Sequence, residues 1–231
     1  VLVIAAAAAG KPVYCGYSED RKNAVPVLEY HAVCGSDEWP AEVIIKTEVF
    51  EKQLQYLHNN GYSMLSMEQM IDGFKNGKDM GKAVVLTFDD GYYNNYYYAF
   101  PLLEEYDAKI VISPICRYTD EYSQAEDAHP NYSHITWDNI NEMIDSGRVE
   151  IQNHSYNMHS YDGKRVGAKR MKGESDLDYE AAFTQDLTRA QERIRQMTGW
   201  TPTCFAYPFG AISDGTQTML NTMGFQSSMT C

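Results

Sequence analysis

Ala83-Val84-Val85-Leu86-Thr87-Phe88-Asp89-Asp90-Gly91 is the stretch from which the rest of the chain is read. Its first six residues are apolar or β-branched, the composition of a strand buried on both faces. The run then stops on two adjacent carboxylates and a glycine. Unpaired carboxylates are almost never fully buried, so a strand that leaves the core on two of them needs an explanation. Two are open at this point. Either one carboxylate binds a cation while its neighbour handles a proton, or the strand ends in an Asp-Asp-Gly turn, for which these residue types are well suited.

Outward from this stretch, strands and helices alternate. Upstream, Val25–His31 reads as a strand with Pro26 at its start, where a missing ladder donor is tolerated. After a loop from Cys34 to Ile45, Thr47 caps a helix whose Phe50, Leu54 and Leu57 share a face, and Gly61 closes it. Tyr62–Leu65 is a short strand. Ser66 and Gln69 form a capping box for a helix ending near Gly77. Downstream, Asn94–Tyr106 reads as a helix bent at Pro101. Strands follow at Lys109–Ile115, Val149–Asn153, Thr203–Tyr207 and Phe225–Met229. Helices are expected from Thr136 to Ile144, Tyr179 to Met197 and Asp214 to Met223, with long polar loops at Arg117–His134 and Ser160–Asp178. Seven strands joined by helices imply a parallel α/β sheet with right-handed crossovers, closed or nearly closed into a barrel. No Gly-rich nucleotide motif follows any strand.

The chain has 231 residues, 44% hydrophobic and 22% charged, ample for one domain of barrel size. Residues 24–231 are read as that domain and 1–23 as a tail. The tail begins Val1-Leu2-Val3-Ile4 and five alanines, too short to span a bilayer. It resembles the trailing end of a signal-peptide apolar region or a membrane anchor lying upstream. A net charge of -13 argues against a nucleic-acid partner. The five cysteines are scattered and include no CxxC pair, so any metal here uses His and carboxylate ligands.

In a (β/α) barrel the site lies at the C-terminal ends of the strands. The polar residues leaving strands there are Asp89 and Asp90, His154 with His159 close behind, Tyr207-Pro208-Phe209-Gly210, and His31. Asp90, His154 and His159 make a two-His, one-carboxylate set of the kind zinc accepts with a position left for water. Side chains five apart diverge on a regular helix. The two histidines can therefore chelate only if His154 sits at a strand end and His159 on the following turn. Adjacent Asp89 and Asp90 project to opposite faces of a regular strand, so both reach the site only where the strand twists and ends.

Thr87-Phe88-Asp89-Asp90-Gly91 resembles the first signature of the polysaccharide deacetylases, the NodB-homology domain of carbohydrate esterase family 4. His154-Ser155…His159 resembles the second, in the longer-spaced form of deacetylases acting on biofilm poly-N-acetylglucosamine. Phe205–Gly210 resembles the third, and Val27–His31 the strand that opens this subgroup. The resemblance implies a distorted (β/α) barrel with about seven parallel strands and one divalent metal ion, zinc first, with cobalt or nickel as substitutes. It implies Asp90, His154 and His159 as metal ligands, Asp89 as general base, His31 as general acid and the backbone N–H of Phe209 as an oxyanion donor. The third signature usually carries an Arg that orients the base. Ala206 stands there, which leaves the partner of Asp89 open. The C-terminal signatures of the family are not found before Cys231.

The implied reaction is removal of N-acetyl groups from an N-acetylglucosamine-containing polysaccharide by a secreted or cell-surface protein, expected to be a monomer. An O-acetyl esterase on a polysaccharide such as xylan is the alternative, as is an inactive carbohydrate-binding relative. Other residues carry blander expectations. Tyr92, Tyr93, Tyr96, Tyr97 and Tyr98 read as a half-buried helix face, Trp137 as a packing residue, and Trp200 as a wall of either site or core. Trp39 reads as a candidate substrate contact. His58, His129 and His134 read as solvated, and Lys164–Lys172 as a solvated basic loop.

Overall fold

Alternate residues of β6 (Ala83–Asp90) belong to two different cores, and this divides the molecule into an inside and an outside. Val84, Leu86 and Phe88 pack with Phe50, Leu54, Trp137, Ile140 and Ile194 from the surrounding helices. Ala83 and Val85 pack instead with Val27, Val111, Cys204, Ala206 and Met229 from other strands. The period-2 alternation of a strand thus sorts the two sets without mixing. The structure, a computed structural model, describes residues 3–4, 24–35, 43–125, 127–161 and 165–230.

β2 (Val27–Tyr30), β6, β7 (Ile110–Pro114) and β8 (Val149–Ile151) form one parallel ladder, and β5 (Ser63–Leu65) pairs with the start of β6. β9 (Cys204–Ala206) and β10 (Ser227–Met229) form a second, which the backbone of β1 (Val3–Ile4) extends alongside Ser228 and Met229. A parallel bridge between Asn153 and Phe205 joins the two ladders. The order β2-β6-β7-β8-β9-β10-β1 is the distorted parallel barrel that the alternation implied, and all seven expected strands are present. The backbone of Val3 and Ile4, which the sequence placed in a tail, therefore lies against the barrel.

Local chemistry places most helices where expected. α1 (Thr47–Asn59) buries Phe50, Leu54 and Leu57. α2 (Met67–Lys75) and α4 (Trp137–Asp145) both open with complete capping boxes, Ser66 with Gln69 and Thr136 with Asn139. α5 (Asp176–Thr198) starts on Ser175 and ends on Gly199 in the left-handed conformation. α6 (Thr216–Thr222) precedes β10. α2 adds Met67, Met70 and Ile71 to the strand-only inner core, so it closes the N-terminal end of the barrel.

Three expectations fail. Arg117–His134 is not all loop, because Cys116–Ala125 forms α3; only Cys116 and Thr119 of that helix are buried, too few to show a periodicity. Asn94–Tyr106 is not a regular helix. It winds as a π turn over Asn95–Ala99 and a 3-10 turn over Phe100–Leu102, since Pro101 forbids regular continuation. Cys34–Ile45 is not simply a loop: β3 (Ala32–Cys34) and β4 (Ile44–Lys46) pair in parallel. No described helix is long and apolar enough to cross a membrane.

Candidate metal centre and active site

Asp90 ends β6 with φ 69°, in the left-handed region, and Gly91 follows with φ 70°. That conformation costs a non-glycine residue roughly 1–2 kcal/mol. It turns the Asp90 side chain back toward the face that Asp89 already occupies. A Cβ on Gly91 would lie 2.8 Å from Cβ of Pro114, so the turn also depends on glycine's missing side chain. Ser155, directly after His154, has φ 79°. This reversal carries the chain from the strand end back over the rim to His159.

The result is a three-residue cluster. His159 Nε2 lies 3.0 Å and His154 Nε2 3.4 Å from Asp90 Oδ1. His154 Nδ1 lies 2.9 Å from the carbonyl oxygen of Ala206. A carbonyl only accepts, so Nδ1 carries the proton and Nε2 is a bare lone pair. Asp90 Oδ1 is itself buried without a hydrogen-bond partner. Two lone pairs therefore face each other across the cluster, and a cation is what resolves such an arrangement. Two imidazole nitrogens and one carboxylate oxygen fit a divalent transition ion. Burial raises the Asp90 pKa; a proton on the facing Nε2 atoms, or a cation in its place, outweighs that and holds it well below the usual carboxylate range.

Asp89 stands apart from this set. It is 6% exposed, and its Oδ1 has no hydrogen-bond partner. Burial, and then the charge of Asp90, push its carboxyl far above the ordinary range. Its near neighbours are His31 and a residue the sequence did not single out, Glu29. One ligand atom of each of the three lies within 4.8 Å of the others. Burial lowers the His31 pKa, with Asp90 pulling the other way. Ala206, at the position of the expected Arg, serves the inner core with its side chain and His154 with its carbonyl.

Phe209 sits in the turn Pro208–Gly210 after β9, with φ 58°. Its ring lies 4.1 Å from that of His159 and 4.1 Å from that of Tyr161. Gly167 packs so tightly beneath this turn that a Cβ would fall 2.4 Å from the Pro208 carbonyl oxygen.

His134 departs from its expected solvation. Its Nδ1 faces the Asp90 carbonyl oxygen at 3.1 Å, and its ring stacks on Tyr92 and Tyr118, with Tyr122 alongside. Tyr92 thus belongs to the rim. The basic loop is not simply solvated, since Arg165 pairs with Glu174 and Arg170 with Asp176. Trp137 is buried, and Trp200 packs on the outer core while donating to the Ile151 carbonyl at 2.7 Å. Trp39 lies outside the described residues.

A parallel barrel carrying two histidines and two carboxylates on the C-terminal rim defines a metal-dependent hydrolase type of site. The family model described as polysaccharide deacetylase matches residues 76–228, and the chain belongs to that family. It is 24% identical over 205 residues to the poly-β-1,6-N-acetyl-D-glucosamine N-deacetylase of Escherichia coli K12, covering 80% of this chain and 30% of the relative. The Staphylococcus aureus (strain MRSA252) protein of the same name is 25% identical over 177 residues, covering 77% of this chain and 57% of the relative. The chain thus spans about a third to about half the length of these relatives.

Among solved structures, a de-N-acetylase from Aggregatibacter actinomycetemcomitans superposes with a TM-score of 0.74 at 29% identity, covering 88% of this chain and 86% of that one. IcaB from Ammonifex degensii does so with a TM-score of 0.70 at 27% identity, covering 86% and 80%.

Proposed function

We propose that this domain removes N-acetyl groups from a polysaccharide containing N-acetylglucosamine, releasing acetate and leaving a free amine on the polymer. The observation that carries this reading is the division of labour between neighbours. Asp90 faces two histidines, while Asp89 stays outside that set beside His31. Asp90, His154 and His159 would hold one divalent ion, zinc first, with cobalt or nickel fitting the same donors. Bound there, the ion supplies a Lewis acid toward the acetyl carbonyl and brings the pKa of a water near neutrality.

The chain's own groups do the rest. Asp89 takes the proton from the attacking water. The Phe209 backbone N–H donates to the carbonyl oxygen as charge develops on it, a contribution worth about 3 kcal/mol. When the C–N bond breaks, its electron pair goes to nitrogen, and His31 gives that nitrogen a proton. A cell-wall or biofilm glycan lies outside the cell, and the protein is accordingly assigned to the cell surface or the secreted fraction, acting as a monomer.

The test is acetate release by the zinc-loaded protein from N-acetylglucosamine oligomers, β-1,4- and β-1,6-linked, with acetylated xylan alongside. Release from the N-acetylated oligomers, lost on chelation and regained with metal, is expected. Release from xylan alone would assign an O-acetyl esterase. Zinc binding with no acetate from any glycan would overturn the enzyme reading.

A further inference from the structure

Glu29 is a partly buried acid on the inner face of the barrel with no part in the ligand set. It pairs in register with Thr87, two residues before Asp89 on the same face of β6. His31 follows two residues later on β2's own strand line, so the two side chains leave the backbone on one side. Glu29 Oε1 lies 3.8 Å from His31 Nε2, and its side chain is 11% exposed. A buried carboxylate is costly unless a partner meets it. Apart from His31, the groups acting on Glu29 are Asp89 and Asp90 from β6 and His154 from the end of β8. Apart from Glu29, those acting on His31 are Asp90, His154 and His159. No lysine or arginine is among them, and three of these groups are committed to one another around Asp90. The imidazole left for Glu29 is His31.

We propose that Glu29 is a positioning residue, whose carboxylate holds the His31 ring so that its proton reaches the departing amine instead of the neighbouring Asp89. The inference rests on the deacetylase reading above. Glu29 transfers no proton itself. It fixes which way the ring faces and favours the charged imidazolium before C–N cleavage. Carboxylates that orient a functional histidine typically affect activity by about 10–100-fold.

The experiment compares zinc-loaded wild type with Glu29→Gln, Glu29→Met, Glu29→Asp, His31→Gln and the Glu29→Gln/His31→Gln double variant. Glu29→Gln should lower kcat about 10–100-fold, with KM and zinc stoichiometry unchanged. Glu29→Met should be at least as impaired, and Glu29→Asp should recover part of the loss. In the His31→Gln background, Glu29→Gln should add nothing. A second arm needs no turnover. In the zinc-loaded protein, NMR of the histidine rings should show the His31 titration midpoint falling in Glu29→Gln, with the ring resonances of His154 and His159 unmoved.

Unchanged kcat in Glu29→Gln would overturn the proposal, as would an equal loss with or without His31. Two zinc ions per wild-type chain and one in Glu29→Gln would also overturn it, by making the cluster a second metal site. If wild type releases no acetate at all, the deacetylase reading fails by itself, and the ring titration still decides the Glu29–His31 pairing.

Discussion

Two chemically identical neighbours, Asp89 and Asp90, are separated by one backbone angle. A regular strand would point them to opposite faces. The left-handed Asp90 brings both to the rim while leaving them different partners. Asp90→Asn is expected to abolish stoichiometric zinc binding, whereas Asp89→Asn should keep zinc and lose acetate release by at least about 100-fold. Metal analysis and turnover on the same preparations separate the two. Glu29 makes a further prediction in the metal-free protein. Burial, and then Asp89, push its carboxyl from 4.5 up to about 8. The unfolded chain gives up this proton near 4.5 and the folded chain only near 8. Stability is therefore full below the lower value and is lost as pH rises through the upper one. The apo Tm should fall between about pH 5 and about pH 8, and Glu29→Gln should flatten that fall. An unchanged slope in the variant would show that Glu29 does not carry it. The metal-ligand candidates were legible because Asp90 ends a strand, His154 stands just past one, and His159 lies on the turn that follows. Glu29 was not, because its place beside the rim carboxylates comes only from the β2–β6 pairing.

Helices α1, α2 and α4 could be read in advance because their signals are local: a capping box, a spaced apolar face, a closing glycine. α3 was hidden, since nearly all of it is polar and it is anchored by residues outside it, as where Trp137 Nε1 donates to Asp120 at 2.7 Å. The π and 3-10 turns of 95–102 were hidden for another reason. Tyr96, Tyr98 and Phe100 all pack on the outer core, which gives an apolar ring without a clear stripe. α2 offers the sharpest test at this scale, because it closes the barrel floor. Met70, fully buried in the inner core, becomes a cavity on substitution by alanine. Met70→Ala should cost about 2–5 kcal/mol, read as a shift in the urea midpoint, with zinc stoichiometry retained because the ligands sit at the opposite end. Parallel loss of zinc would show that floor and rim are not independent.

At the scale of the molecule, the seven expected strands and their parallel direction followed from alternation alone, while β1, β3 and β4 did not. The strand order did not, because the Asn153–Phe205 bridge and the place of β1 depend on residues remote in sequence. Binding of zinc to the folded state alone should raise global stability. At free zinc about 100 times its Kd the gain is about 2.7 kcal/mol. It should appear as a higher Tm that chelation reverses, and it should be absent in His154→Ala. A Tm indifferent to zinc in the wild type would contradict a rim assembled around an ion.

The closed floor has one more consequence. With Met67, Met70 and Ile71 stoppering one end, the barrel is a cup rather than a tunnel. If the proposed reaction holds, a long glycan would lie across the mouth and lower one side group at a time. Such a catalyst would not count from a chain end. Residues in the middle of a polymer would be as accessible as those at its tips, and the pattern of free amines would be set by how the polymer drapes over the rim.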